Sequence, residues 1–144
     1  MARYQAIAAA GAALAGLIKE RYPRGEFGAG LTVDTVQPMA VEKGLPGEGI
    51  AICLWRVAIN GQRRARGPRL DAFGNRFKPS LPLDLSFLVI PYSNTSERQA
   101  RLLGWVMRAL EDAGPLSAAQ LNFYLMESDV FAPEDEVDLV CDPL

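Results

Sequence analysis

The sequence predicts an α+β domain: a mostly antiparallel sheet with two helices packed against it. Three observations carry that expectation. Runs at 31–37, 50–59 and 83–90 alternate or persist in β-rich apolar residues, as strands do. Segments 4–21 and 96–112 repeat their large apolar residues near the 3.6-residue helical period. The strand-like runs outnumber the helical ones in the order α-β-β-β-α-β, the pattern of an α+β sandwich rather than an alternating α/β fold. With 144 residues, 49% hydrophobic and 22% charged, the chain suits one soluble globular core.

The first helix is expected from about Tyr4 to Arg21. Ile7, Leu14 and Ile18 give its apolar spacing, and Pro23 disfavours helical geometry at Tyr22. Its small residues Ala10, Gly11 and Ala15 leave room for another element to approach closely. The stretch Ala6 to Ile18 could pass for the apolar core of a signal peptide, but it is rich in Ala and Gly rather than Leu, which favours a packed helix. Gly25, Gly28 and Gly30 in GEFGAG follow a helix rather than a strand, so they predict a flexible turn and not a dinucleotide-binding loop.

Leu31 to Gln37 (LTVDTVQ) alternates as a half-buried strand does, and Pro38 closes it. KGLPGEG, 43–49, predicts a turn-rich connector. Ile50 to Ile59 is a continuous strand candidate that ends on the tight-turn pair Asn60-Gly61. In the next strand Leu83, Leu85, Phe87 and Val89 share one apolar face, and Pro82 and Pro91 bracket it. The second helix is expected to start on a Ser96/Gln99 capping box and stop at Gly114-Pro115, with Leu102, Leu103, Val106, Met107 and Leu110 as its buried stripe. Leu121, Phe123 and Leu125 alternate, which predicts a last short strand.

The net charge of −2 conceals a segregation along the chain. Residues 1–110 hold all 15 Lys and Arg with 8 acids, a balance of +7; residues 111–144 hold 9 acids and no base, a balance of −9. Such a split is satisfied within one molecule or between neighbours placed head to tail. No run of about 20 apolar residues occurs, so no membrane partner is expected. Two cysteines, Cys53 and Cys141, are too few for a disulfide framework, which points to unpaired thiols and a cytoplasmic setting.

Catalytic signals are sparse. The sequence has no histidine, which removes the commonest general base and metal ligand and every Ser-His or Cys-His nucleophile system. Asp34 and Asp84 fall on the polar sides of alternating strands, where a solvated carboxylate is the ordinary reading. The chain is therefore expected to be no enzyme and to carry neither cofactor nor metal.

The most distinctive feature is the basic loop at about 60–80, with Arg63, Arg64, Arg66, Arg69, Arg76 and Lys78. Arginine clusters bind phosphate backbones, so a nucleic-acid-binding α+β module is one reading of this loop. Against it stand a pI near 5.2, the lack of aromatics among the arginines before Phe73, and the lack of a DNA-binding motif. A solvated loop is the second reading and a protein contact the third, since the planar multi-donor head of arginine is favoured at interfaces.

The succession "ICLWRVAIN", an Arg/Pro-rich loop, "LPLDLSFLVIPYS", "ERQARLLGWVMRALED" and "GPLSAAQL" resembles the cap, or tail-terminator, family of bacterial contractile injection systems, which are phage-tail-like particles. Arg56-Val57 with Asn60, the strand Pro82 to Ile90 and the helix Leu102 to Leu110 carry the likeness, which covers about residues 4–125. The resemblance implies a structural subunit of a hexameric ring, seated on the end of the inner tube and sheath and ending their growth. It implies sheath and inner-tube proteins and further copies of the chain as partners, with incorporation into the particle in the cytoplasm. The expected organisation is one cap domain over 1–126 and an acidic C-terminal tail over 127–144. The expected interface residues are Arg56, Arg63, Arg64, Arg66, Arg69, Arg76 and Lys78 on the basic side and Glu134, Asp135 and Glu136 on the acidic side.

Overall fold

A computed structural model describes residues 2–28, 30–64, 67–70, 72–77, 81–127 and 129–142, with Arg69 and Phe77 described by backbone alone. The α+β class holds. Among the described residues there are five helices around a mixed three-stranded sheet, with two two-residue ladders beside it.

Helix α1 (Ala6–Arg21) is the centre of the molecule and is buried on two sides. Ala9, Ala13 and Leu17, four residues apart, pack with Leu116, Ala118, Leu121, Val130 and Phe131. Leu14, Ala15 and Ile18 pack instead with Val33, Ile50, Ile52 and Val106. One helix thus joins two apolar clusters, which a chain segment this rich in Ala and Gly can do because its backbone lets neighbours come close from both sides. A Cβ on Gly11 would lie 3.5 Å from the Phe87 ring, an ordinary contact that an alanine could also make, and the close approach on α1 falls instead at Gly16, beneath the Tyr124 ring. The helix ends as expected, with Tyr22 extended before Pro23 and with Lys19 and Arg21 in the last turn, where the helix dipole favours cations. The glycine stretch expected as a turn contains one helical turn, α2 (Arg24–Phe27), which ends at Gly28 with φ 87°.

Strand β1 (Thr32–Thr35) runs parallel to β2 (Gly49–Ile59), and α3 (Pro38–Lys43) forms part of the crossover that a parallel pair requires. Pro38 therefore closes β1 and also opens a helix, at the first-turn position where its missing N–H costs nothing. The basic loop contains a short ladder of β3 (Arg69–Leu70) against β4 (Arg76–Phe77). Strand β5 (Leu83–Tyr92) returns antiparallel to β2 from Ile59↔Leu83 to Gly49↔Tyr92, with a bulge between Leu54 and Arg56. The sheet order β1-β2-β5 leaves β5 at an edge, which is where Pro91 can sit inside a strand.

Helix α4 (Ser96–Ala113) corrects two expectations. Its N-cap is Thr95, whose Oγ1 accepts from the Arg98 amide at 3.4 Å, and Gln99 donates its Nε2 to the Pro91 carbonyl at 3.0 Å. The Ser96/Gln99 capping box is therefore not formed; a threonine one residue earlier takes the role. The apolar stripe also splits. Leu102, Val106 and Ala109 are buried, whereas Leu103 and Met107 are 43% and 53% exposed. The five-residue stripe is wider than the face the sheet and α1 can cover. At the helix start, Arg98 pairs with Glu48, donates to the Phe27 carbonyl and lies over the Phe27 ring at 5.7 Å.

The short strand expected at Leu121, Phe123 and Leu125 is overturned. Those residues form helix α5 (Ala118–Leu125), entered through β6 (Leu116–Ser117). Ser117 and Gln120 make the capping box: Ser117 Oγ accepts from the Gln120 amide, and Gln120 Oε1 accepts from the Ser117 amide. Ala118, Leu121 and Leu125 supply a helical spacing that competes with the period-2 pattern, and the cap with packing on α1 decides between them. β6 pairs with β7 (Glu136–Val137), which brings the acidic segment back to the core. Cys53 is buried, Cys141 is exposed, and both are unpaired.

Candidate assembly interface

The β2–β5 hairpin outruns the helices that cover it. Gly11 of α1 meets Phe87, and the ladder continues past that point through Val57↔Leu85 to Ile59↔Leu83. Directly opposed residues of a ladder share a face, so Val57, Ile59, Leu83 and Leu85 extend the same sheet face that carries Phe87 and Val89. Val57, Ile59 and Leu83 are 46%, 54% and 38% exposed, and Trp55, at the bulge, is 49% exposed. An apolar ledge thus projects from the core and leads directly into the basic loop.

Asn60 closes the root of that loop. Its Oδ1 accepts from the amides of Gln62 and Arg63, each at 3.1 Å, its Nδ2 donates to Asp84 Oδ1 at 3.2 Å, and its amide donates to the Pro82 carbonyl at 3.0 Å. The Asn60-Gly61 turn is present as a turn. The strand it faces is β5, more than twenty residues on, so the turn launches an arm instead of closing a two-residue hairpin. Asp84, set aside as a solvated carboxylate, is exposed and holds Asn60.

Of the expected basic residues, Arg56 is exposed at the bulge and Arg63, Arg64 and Arg76 are exposed on the arm. Arg66 and Lys78, and the side chain of Arg69, lie outside the described residues. On the acidic side Glu134 and Glu136 are exposed. Asp135 is half-buried and its Oδ2 accepts from the Ala132 amide at 2.9 Å, while its own amide donates to the Ala132 carbonyl, so it shapes a turn. The structure brings one member of each charged region together: Arg63 Nη2 lies 3.5 Å from Asp138 Oδ2 within the same chain. These side chains are 73% and 58% exposed, and pairs so open to water contribute little to stability.

The acidic segment itself is anchored by apolar contacts. Val130 and Phe131 are buried in the cluster of α1 and α5. The Asn122 side chain clamps Phe131, donating to its carbonyl at 3.1 Å and accepting from its amide at 2.9 Å. Arg3 donates its amide to the Val130 carbonyl and pairs with Asp129 at 2.8 Å.

A second apolar surface escaped the sequence reading because its residues were assigned to a strand. At the end of α5, Phe123 is 70% exposed, and Met126, the left-handed C-cap whose amide donates to the Phe123 carbonyl, is 92% exposed. Phe123 stands edge-on to Tyr124 at 5.4 Å between ring centres. Tyr124 hydrogen-bonds Glu20 and lies over Gly16; burial and then Glu20 push its phenol up to about 12.

Among the described residues no helix is long and apolar enough to cross a membrane, and no three His, Cys, Asp or Glu side chains gather as metal ligands. No curated protein matches the chain. The family model described as the Pvc16 N-terminal domain matches residues 9–144, from the first buried residue of α1 through the anchored acidic segment. The chain belongs to the Pvc16 N-terminal domain family, which is associated with phage-tail-like contractile injection particles.

Proposed function

We infer that the chain is a structural, non-enzymatic subunit that caps the particle: it forms a ring, sixfold by the resemblance, on the end of the inner tube and sheath and ends their polymerisation in the cytoplasm. One observation carries this reading most directly. The β2–β5 hairpin projects an apolar ledge and a basic arm clear of the core, with Arg56, Arg63, Arg64 and Arg76 exposed, while Glu134 and Glu136 are exposed on a separately anchored acidic segment. An arm of this kind has the makings of a protein contact, in which guanidinium heads meet carboxylates and backbone carbonyls. Repetition around a ring multiplies contacts that are individually weak.

The test is particle assembly with and without the chain, read as a length distribution by electron microscopy. Assembly without it should give overlong or ragged tubes and sheaths, and replacing Arg63, Arg64 and Arg66 together by Ala should reproduce that defect with the chain still folded. Particles of normal length in the absence of the chain would sink the capping role. Normal capping by the triple variant would sink the role of the arm.

A further inference from the structure

The ledge and the Phe123/Met126 surface lie on different layers of the molecule. The ledge continues the sheet face beyond α1, whereas α5 packs on the opposite side of α1, against Ala9, Ala13 and Leu17. The two exposed surfaces therefore cannot cover each other within one chain. Their surroundings differ in charge: the ledge runs into the basic arm, where Arg63, Arg64 and Arg76 are exposed, and the Phe123/Met126 surface is followed by Glu127 and Asp129 at the start of a segment with no base after residue 110. Arg3 offsets one of those acids through its pair with Asp129.

We propose that the ledge of Val57, Ile59, Leu83 and Leu85 on one copy seats against Phe123 and Met126 of a second copy. The proposal rests on the reading of the chain as a subunit of a multi-copy assembly. The occupant is a second copy because this chain carries both halves of a matched pair, an apolar ledge beside a basic arm and an apolar surface beside Glu127, and its two apolar surfaces cannot meet within one chain. Phe123 is suited to be the anchor. It is a rigid aromatic ring that stands 70% exposed, and a Phe side chain has few torsions for docking to order. Two different surfaces make the contact head to tail, which closes into a ring where the rotation permits.

The head-to-tail geometry has a signature that no single variant shows. A chain with Val57→Ser and Ile59→Ser keeps its α5 surface, and a chain with Phe123→Ser and Met126→Ser keeps its ledge. Light scattering at rising concentration should find the wild type assembled and each double variant monomeric, with self-association weakened at least roughly thirty-fold. An equimolar mixture of the two variants should stop at dimers, because only one productive contact remains. Circular dichroism and melting should show both variants folded, since every substituted side chain is exposed.

Assembly of either double variant as in the wild type overturns the contact, and so does a mixture that stays monomeric. A wild type that is monomeric at every concentration overturns it too. Such a monomer that still restored normal particle length would sink this contact and leave the capping role standing.

Discussion

Gly16 shows how a single position can be decisive without being visible in the sequence. It lies among the many small residues of α1, where any glycine reads as generic permissiveness, and only the fold shows that the Tyr124 ring lies on it. A Cβ at this position would sit 2.9 Å from Tyr124 Cγ and closer still to the ring carbons beyond. Helix propensity favours Gly16→Ala by about 1 kcal/mol, whereas forcing a methyl into a packed contact costs about 1–3 kcal/mol. The steric term should win, lowering the stability read by denaturant unfolding, and a Tyr124→Ala background should reverse the sign. Tyr124 also sets a pH dependence. Its folded phenol is raised, first by burial and then by Glu20, from about 10 to about 12, so the folded state holds its proton more tightly than the unfolded chain does. The associated stability is complete below pH 10 and is lost as pH rises to about 12. Tyr124→Phe should flatten the fall in melting temperature across that window. Tyr22 and Tyr92 are raised by burial too and should leave a residual slope; a variant with the wild-type profile would remove Tyr124 from the account.

At the scale of elements, the helices and strands legible in the sequence were those with one dominant period, and those misread had two. α1, β1, β2 and β5 follow their patterns. Residues 118–125 satisfy both a strand alternation at Leu121, Phe123 and Leu125 and a helical spacing at Ala118, Leu121 and Leu125, and the Ser117/Gln120 cap was the local signal that could have decided it. α4 presents the related difficulty that an apolar stripe does not say how much of itself will be covered. Leu102→Ala should cost about 2–5 kcal/mol, because Leu102 is fully buried. Leu103→Ala, at a side chain 43% exposed, should stay within about 0.5 kcal/mol. Comparable losses at both sites, measured by denaturant unfolding, would mean that α4 is more deeply enclosed than its packing on β5 and α1 allows. The ledge was hidden for a similar reason. A run such as Ile50 to Ile59 reads as uniformly buried, yet its first half is enclosed and its second half passes beyond α1.

For the molecule as a whole, the charge split visible in the sequence does not map onto a body and a loose end. Of the nine acids after Leu110, Glu111 and Asp112 end α4 and the other seven follow α5 on a return path that places Val130 and Phe131 beside α1 and sets Glu136–Val137 against Leu116–Ser117. Apolar contacts hold this segment; its charges remain at the surface, where the Arg63–Asp138 pair is largely hydrated. Hydrophobic burial and surface charge therefore make opposite predictions about what the segment does for stability, and magnitude separates them. Phe131→Ala removes a buried ring and should cost about 3 kcal/mol or more. Glu134→Gln with Glu136→Gln alters exposed carboxylates and should move stability by no more than about 0.5 kcal/mol. A chain ending at residue 126 should go further, uncovering Leu116 and Leu121 and binding more of a hydrophobic dye than the complete chain does. Raising salt toward 1 M should leave the unfolding midpoint of the complete chain almost unchanged, since its exposed ion pairs are weak and already screened, while any assembly held by the basic arm loosens over the same range. A truncated chain as stable as the full one would show that the first core cluster closes without Val130 and Phe131. The acids would then be an appendage whose only business is with other molecules.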